Sequence, residues 1–416
     1  MTAPPHRARS ERGAALLLVL MVVAVVTVMA TELAYDTRVS LQIAANARDE
    51  LRASYQARGA VAISRLVLHF QQRLDQAGGA AGQIMAGMQA AQGGAGGLPA
   101  GASQGSLSFR LWDAIPVDDT VIALLLGTGP TSGARGKGDE GFNATIEDEE
   151  RKVNVAQLAG LSTVAGPQLQ RLLLAVRDPR YDVLFDREDD LGNRLSRRDV
   201  AAALRDWADE DATTSTLGLN PLAPFEKGFG DENQYYDRGE DRYRAKNARF
   251  DSLDELFMVA GIGDAFMGAF GDQLTVYPDV NATINVNTTD PEQILVNALL
   301  MSSPPGVPQP PLLDPSFAQK LSMALRLVRP LPFMTITVQQ FATVLQALGM
   351  KLQPIYVQAQ NTDTRSPFGN TSNTFTIRAT GRAGGVERTI DAVVTMDDRA
   401  GPLQSDLGRL IHWRED

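Results

Sequence analysis

The chain has 416 residues, 44% of them hydrophobic, a formal net charge of -10, no cysteine and three histidines. An acidic balance argues against nucleic acid as the main partner, and without cysteine there are no disulfides, thiolate metal sites, iron–sulfur clusters or cysteine nucleophiles. His6, His69 and His412 fall in the leader, a long helix and the C-terminal tail, so no histidine triad or histidine-rich metal site assembles from them.

The first predicted element is an apolar run from Ala14 to Ala30, 17 residues with only Thr27 polar. As a helix it reaches about 25 Å, just short of a hydrocarbon core. Arg7, Arg9 and Arg12 precede it and Glu32 and Asp36 lie beyond it. The positive-inside rule therefore keeps the N-terminus in the cytoplasm and sends the body outward, into the periplasm of a bacterium. A basic start, an apolar core and Val28-Met29-Ala30 also meet the description of a cleaved secretory signal. The residues beyond Ala30 weigh against cleavage there. From Leu33 to about Gln76 there is no proline and one glycine, Gly59, and Val39, Ile43, Ala47, Leu51 and Tyr55 step by four along one helical face. A single helix from Ala14 to about Gln76 would be about 95 Å long, more than a globular domain needs. Such a helix suits a stalk or the packing of a filament.

Residues 77–106 are rich in glycine and alanine and carry no charge, which predicts a loop or linker. Leu107 to Trp112 alternates apolar and polar residues, and "FNATIEDEE" at 142–150 does so again, giving two strand candidates. The middle, 151–349, reads as helical. Ser196 with Asp199, Ser252 with Glu255 and Thr337 with Gln340 have capping-box spacing, and Asp290-Pro291 offers an N-cap followed by proline at N1. "RKVNVAQL" at 151–158 and "ATINVNTT" at 282–289 echo each other, each setting Asn between β-branched residues before a helix. Two helical units of related design are expected. Near the C-terminus, two alternating runs flank Gly384-Gly385 and predict a hairpin.

The densest polar constellation is Asp206, Asp209, Glu210 and Asp211 at a helix end, with Asp231, Glu232, Asn233 and Asp237 beyond a loop. Carboxylates gathered from a helix end and a loop suit calcium, which takes six to eight oxygen ligands in tolerant geometry. The bland reading is a solvated acidic loop. A second group, Asp186, Glu188, Asp189 and Asp190, reads as a solvated turn. "MVAGIGDAF" at 258–266 resembles the turn of helix-hairpin-helix DNA-binding modules, but Asp264 stands where a basic residue is usual, so a turn between packed helices is the better reading.

Several segments point together to one family. Arg12-Gly13 followed by Ala14-Ala15-Leu16-Leu17-Leu18-Val19 looks like a prepilin peptidase junction. In that reading, cleavage falls after Gly13 and the new N-terminal Ala14 is methylated. Most pilin-like subunits carry glutamate at the fifth mature position, whereas here that position is Leu18, and an apolar residue there is a trait of the subunit at the tip. With "ALRDWADEDA" from 203, "DENQYYDRGEDRYRAKNARFDSLDELFMVAGI" from 231 and "INVNTTDPEQIL" from 284 in this order, the chain resembles one family, the type II secretion minor pseudopilin protein K, of which these look like the characteristic segments.

The resemblance implies an α+β fold: a pilin-like long N-terminal helix packed on a small antiparallel sheet, with a large all-α insert of two SAM-like or helix-hairpin-helix-like units. The expected divisions are a leader over 1–13, a transmembrane part over 14–30, a periplasmic helix over 31–76, the loop 77–106 and pilin-like strands over 107–150. Next are insert units over 151–275 and 276–349, and then C-terminal strands over 350–416. The family also binds calcium in its globular region, for which the expected ligands are Asp206, Asp209, Asp211, Asp231 and Glu232. Implied partners are the minor pseudopilins I and J, the prepilin peptidase and the inner-membrane secretion platform, with secreted substrate or the outer-membrane secretin as further contacts. No catalytic set stands out. The rival readings are a minor pilin of a type IV pilus or DNA-uptake system, which would bind DNA in a salt-sensitive way, and a membrane-anchored hydrolase, which would lose activity on changing Asp206 or Asp209.

Overall fold

The computed structural model describes residues 11–76, 110–119, 140–185, 188, 192–218, 223–237, 242–278, 283–288, 290–329, 333–357, 366–396 and 407–416. Helix α1 (Glu11–Gln76) has 66 residues and is about 100 Å long. After it come a single helical turn at Leu111–Ala114, β1 (Val117–Asp118) and β2 (Gly141–Asp148). Next are β3 (Val153–Asn154), α2 (Ser162–Ala175), α3 (Arg197–Ala208), the hairpin of β4 (Thr213–Leu217) and β5 (Phe225–Asp231), α4 (Asp264–Phe270) and β6 (Leu274–Thr275). Then come β7 (Ile284–Asn285), α5 (Pro291–Met301), α6 (Phe317–Val328), α7 (Val338–Ala347) and β8 (Phe368–Gly369). The last elements are β9 (Thr374–Ala383), β10 (Val386–Thr395) and β11 (Arg409–Glu415).

Helix α1 leads two lives. Every side chain from Ala14 to Arg38 is exposed, although this stretch contains the apolar run that is long and hydrophobic enough to cross a membrane. Farther along, Ala53, Ala57, Ala60, Val61, Ser64, Leu68 and Gln71 are buried, and their spacing by three and four places them on one face. That face lies on an antiparallel sheet of order β1-β2-β9-β10-β11. Phe375, Ile377, Ala379, Ile390, Ala392 and Val394 complete the core beneath it. The approach is close because both surfaces are small: a Cβ on Gly381 would run into the Ala53 carbonyl and the Ala57 amide. The β9–β10 hairpin turns at Gly384 and Gly385, both with positive φ (56° and 82°), as a two-residue turn of this hand requires.

The opposite face of the sheet carries the first insert core. Val393 joins the cluster of Val153, Leu158, Leu172, Leu204, Trp207, Leu256, Phe270 and Val276, so β10 is covered on both sides. A second core gathers Ile284, Val286, Ile294, Met301, Leu321, Leu325, Phe341 and Leu345. It continues to Met350, Tyr356 and Phe368, past residue 349, because β8 pairs in parallel with β7.

The echoing Asn segments have a common structural use. Asn154 lies in the parallel pair β3–β6 and donates its side-chain amide to the Pro278 carbonyl at 2.7 Å. Asn287 comes just after the parallel pair β7–β8, donates to the carbonyls of Ile336 and Asn370 and accepts from the Ile336 amide. Each Asn satisfies buried backbone groups where a strand gives way to a helix. Asn285 also ties the second core to the sheet, donating to Asp148 at 3.0 Å, where Ser372 and Arg151 converge as well.

Local readings survive where no stronger partner intervenes. The capping boxes at Ser196/Asp199 and Thr337/Gln340 form, and Asp290 caps α5 with Pro291 at N1. Ser252 makes no side-chain cap: Glu255, needed for that box, instead accepts from Trp207 Nε1 and Lys246 Nζ, and residues Leu253–Met258 form a 3-10 helix. The strand expected at Leu107–Trp112 is not formed in its described part, where Leu111–Ala114 is a helical turn. Tertiary partners decide this: the Leu111 amide donates to Gln71 Oε1 of α1, and Trp112 packs edge-on against Phe375. Residues 107–109, the leader residues 1–10 and the 77–106 stretch lie outside the described residues, as do Asp186, Asp189 and Asp190. The "MVAGIGDAF" segment is a packing turn, with Gly261 at φ 80° against Val200 and Leu195. The 213–230 stretch supplies the β4–β5 hairpin, so the insert, expected to be all-α, carries a small sheet among its helices.

Candidate functional site

Helix α3 sets the acids in place. Its capping box fixes the start, and Val200, Leu204 and Trp207 bury one side in the first insert core. Asp206 lies beside Trp207 and is itself only 3% exposed, its Oδ1 accepting from the Ser215 amide of β4 at 2.8 Å. Asp209 ends the helix in an extended conformation. Asp211 Oδ1 then accepts from the Thr213 amide and turns the chain into β4. On the far side of the hairpin, Glu232 opens a 3-10 turn and is 1% exposed.

Aromatic side chains underlie this end of α3. Trp207 meets Tyr236 at 5.3 Å and Tyr243 at 6.2 Å between ring centres. The Trp of "ALRDWADEDA" and Tyr236 and Tyr243 of the segment from 231 thus form one support.

What distinguishes this cluster is its surplus of oxygen. Both carboxylate oxygens of Glu232, Oδ1 of Asp209 and Oδ1 of Asn247 are buried without a hydrogen-bond partner. Burial, reinforced by the charges of Asp206, Asp209 and Asp211, pushes the Glu232 carboxyl up to about 8. Burial likewise pushes Asp206 up to about 6 and raises Asp209. Arg205, 3.3 Å from Asp209, is the cation paired there. Leaving such groups buried and unpaired costs about 1–3 kcal/mol each, so the arrangement favours whatever neutralises it.

The expected ligands divide. Asp206, Asp209 and Asp211 act electrostatically on Glu232 and share its surroundings. Asp231 stands apart: it is exposed, and its Oδ1 is taken by the backbone and side-chain amides of Asn233. Asn247 was not among the expected ligands. It is the positive-φ non-glycine residue of the described chain (φ 48°), it donates to the Asp211 carbonyl, and its amide lies beside Glu232. Its one signal in the sequence is that Asn adopts the left-handed conformation more readily than most residues. Among the described residues no three acidic or histidine side chains are already drawn together tightly enough to hold an ion. The candidate donors are nonetheless all oxygens: the two of Glu232, Oδ1 of Asp209 and Oδ1 of Asn247 have no hydrogen-bond partner, and three further carboxylate charges, on Asp206, Asp209 and Asp211, surround Glu232, a set that fits a hard divalent cation.

No protein-family model matches the chain, and no curated protein matches it. Among solved structures, it is similar to a chain of the GspK-GspI-GspJ complex from the type 2 secretion system of enterotoxigenic Escherichia coli. The identity is 17% and the TM-score 0.40, over 67% of this chain and 80% of that one. A likeness at that level says nothing of what this chain binds.

Proposed function

We propose that the chain is a minor pseudopilin at the tip of the type II secretion pseudopilus, a non-enzymatic subunit that nucleates and caps the filament driving folded proteins across the outer membrane. The observation that carries the reading is the split character of α1. One part is buried on a sheet of its own chain, while an apolar stretch of the same continuous helix has every side chain exposed. Bare apolar surface of that length requires a membrane or sister helices to cover it. In this reading the N-terminus is cytoplasmic, cleavage comes after Gly13, methylated Ala14 begins the mature subunit, and the body stands in the periplasm.

Leu18 fits the tip, because a subunit with no neighbour above it has no cationic partner for a carboxylate in lipid. In this reading the two insert cores broaden the head so that no further subunit would seat above it. Minor pseudopilins I and J would lie beside it. Calcium would be held by Glu232, Asp209 and Asn247, with Asp206 and Asp211 adding negative charge. It would neutralise the acids and stiffen the junction of α3, the hairpin and the 242–247 segment.

Co-expression with minor pseudopilins I and J of the same host tests the assignment. The expected outcome is a complex of all three that survives size exclusion. Elution of this chain by itself, with I and J well folded, counts against it.

A further inference from the structure

The acidic cluster is not isolated from the five-stranded sheet. Lys246, next to Asn247, places its ammonium 2.7 Å from Asp251 Oδ2 and 2.9 Å from Glu255 Oε2. Trp207, next to Asp206, donates its indole N–H to Glu255 Oε1 at 2.8 Å. Both residues flanking the cluster therefore grip one short segment, Asp251–Met258. The other side of that segment faces the sheet. Tyr277 Oη donates to the Asp251 carbonyl at 2.9 Å, and the Tyr277 ring lies 6.3 Å from the ring of His412 on β11. Asp254 pairs with Arg414 of β11 at 3.3 Å, and Arg414 also reaches Asp391 of β10.

We infer that cation binding at the acidic cluster and docking of the first insert core on the sheet edge are thermodynamically coupled through the Asp251–Met258 turn. This rests on the cation reading above. A cation that draws Asn247 and the end of α3 inward moves Lys246 and Trp207, and both hold Glu255. The turn then sets Asp254 and the Asp251 carbonyl against Arg414 and Tyr277. Linkage makes the effect reciprocal: whatever loosens the sheet contact weakens the cation by the same factor. For a head seated on a filament, this makes calcium a control on how firmly the insert is held to the body.

The test uses the full chain in detergent micelles, titrated with calcium chloride by calorimetry and monitored by amide hydrogen exchange. Arg414→Ala is expected to weaken calcium binding by about two- to fivefold, the scale of an exposed ion pair. In the unaltered chain, calcium is expected to slow exchange across β11. Binding by the unaltered chain with unchanged affinity in Arg414→Ala, or with β11 exchange indifferent to calcium, overturns the coupling while leaving the cation site intact. No binding by the unaltered chain overturns both. The exchange measurement needs no variant, so it decides the matter even if Arg414→Ala folds poorly.

Discussion

Chelating calcium is expected to lower the midpoint of thermal unfolding by about 2–3 °C relative to the protein in calcium at 10–100 times its dissociation constant, given the unfolding entropy of a 416-residue chain. The origin is Glu232, which is 1% exposed and has the charges of Asp206, Asp209 and Asp211 around it. The pH dependence has a definite sign. The Glu232 carboxyl rises from an ordinary 4.5 to about 8 on folding without metal. Between those values the folded chain holds a proton that the unfolded chain has lost, so metal-free stability falls as pH rises through that window. Asp206, raised from 3.8 to about 6, adds a decline at lower pH. Calcium should flatten the profile, and its affinity should strengthen from pH 6 to pH 8 as protons leave the site. Glu232→Gln should lose the calcium response and, at pH 8 without calcium, unfold at a higher temperature than the unaltered chain. Thermal melts over pH 5–9 with and without chelator check this. A profile that rises with pH in the metal-free protein contradicts the assignment.

Leu18→Glu is expected to reduce filament initiation in the host by about tenfold or more, because an unpaired carboxylate near the membrane interior costs about 3 kcal/mol. Leu18 is 65% exposed on a helix that continues without a break into the body, so it meets only what lies outside the chain. In a subunit that joins beneath others, glutamate would find the amine of the neighbour above and the cost would be offset. At a tip that neighbour is missing. Counting pseudopili by electron microscopy in cells that overproduce the major pseudopilin gives the measure. Leu18→Ala, which removes bulk without adding charge, should initiate normally. Equal pilus numbers for Leu18→Glu and the unaltered chain would place this subunit elsewhere in the filament.

The parts of the fold written in local signals were legible. The helix from the apolar run through Gln76, the strand expected at 142–150 up to Asp148, where a 3-10 turn takes over, the glycine-turned hairpin and two of three capping boxes all depend on neighbours close in sequence. Readings failed where a distant residue made a better offer. Glu255 left Ser252 for Trp207 and Lys246, and Leu111 left an extended path for Gln71 of α1. The candidate site shows the same division. Acid density marked Asp206, Asp209, Asp211 and Glu232, but density does not distinguish a side chain turned inward from one spent on a cap, and Asp231 is spent on Asn233. Asn247 could be found only once the chain had folded back, because its value lies in a left-handed backbone beside Glu232 and not in its neighbours along the chain.

The central claim is that the exposed apolar stretch of α1 belongs to the working subunit. Mass spectrometry and N-terminal sequencing of the mature protein from its native host address it most directly. The account predicts a chain beginning at N-methylated Ala14. A chain beginning at Thr31 would mean that the apolar run is discarded, and would contradict it.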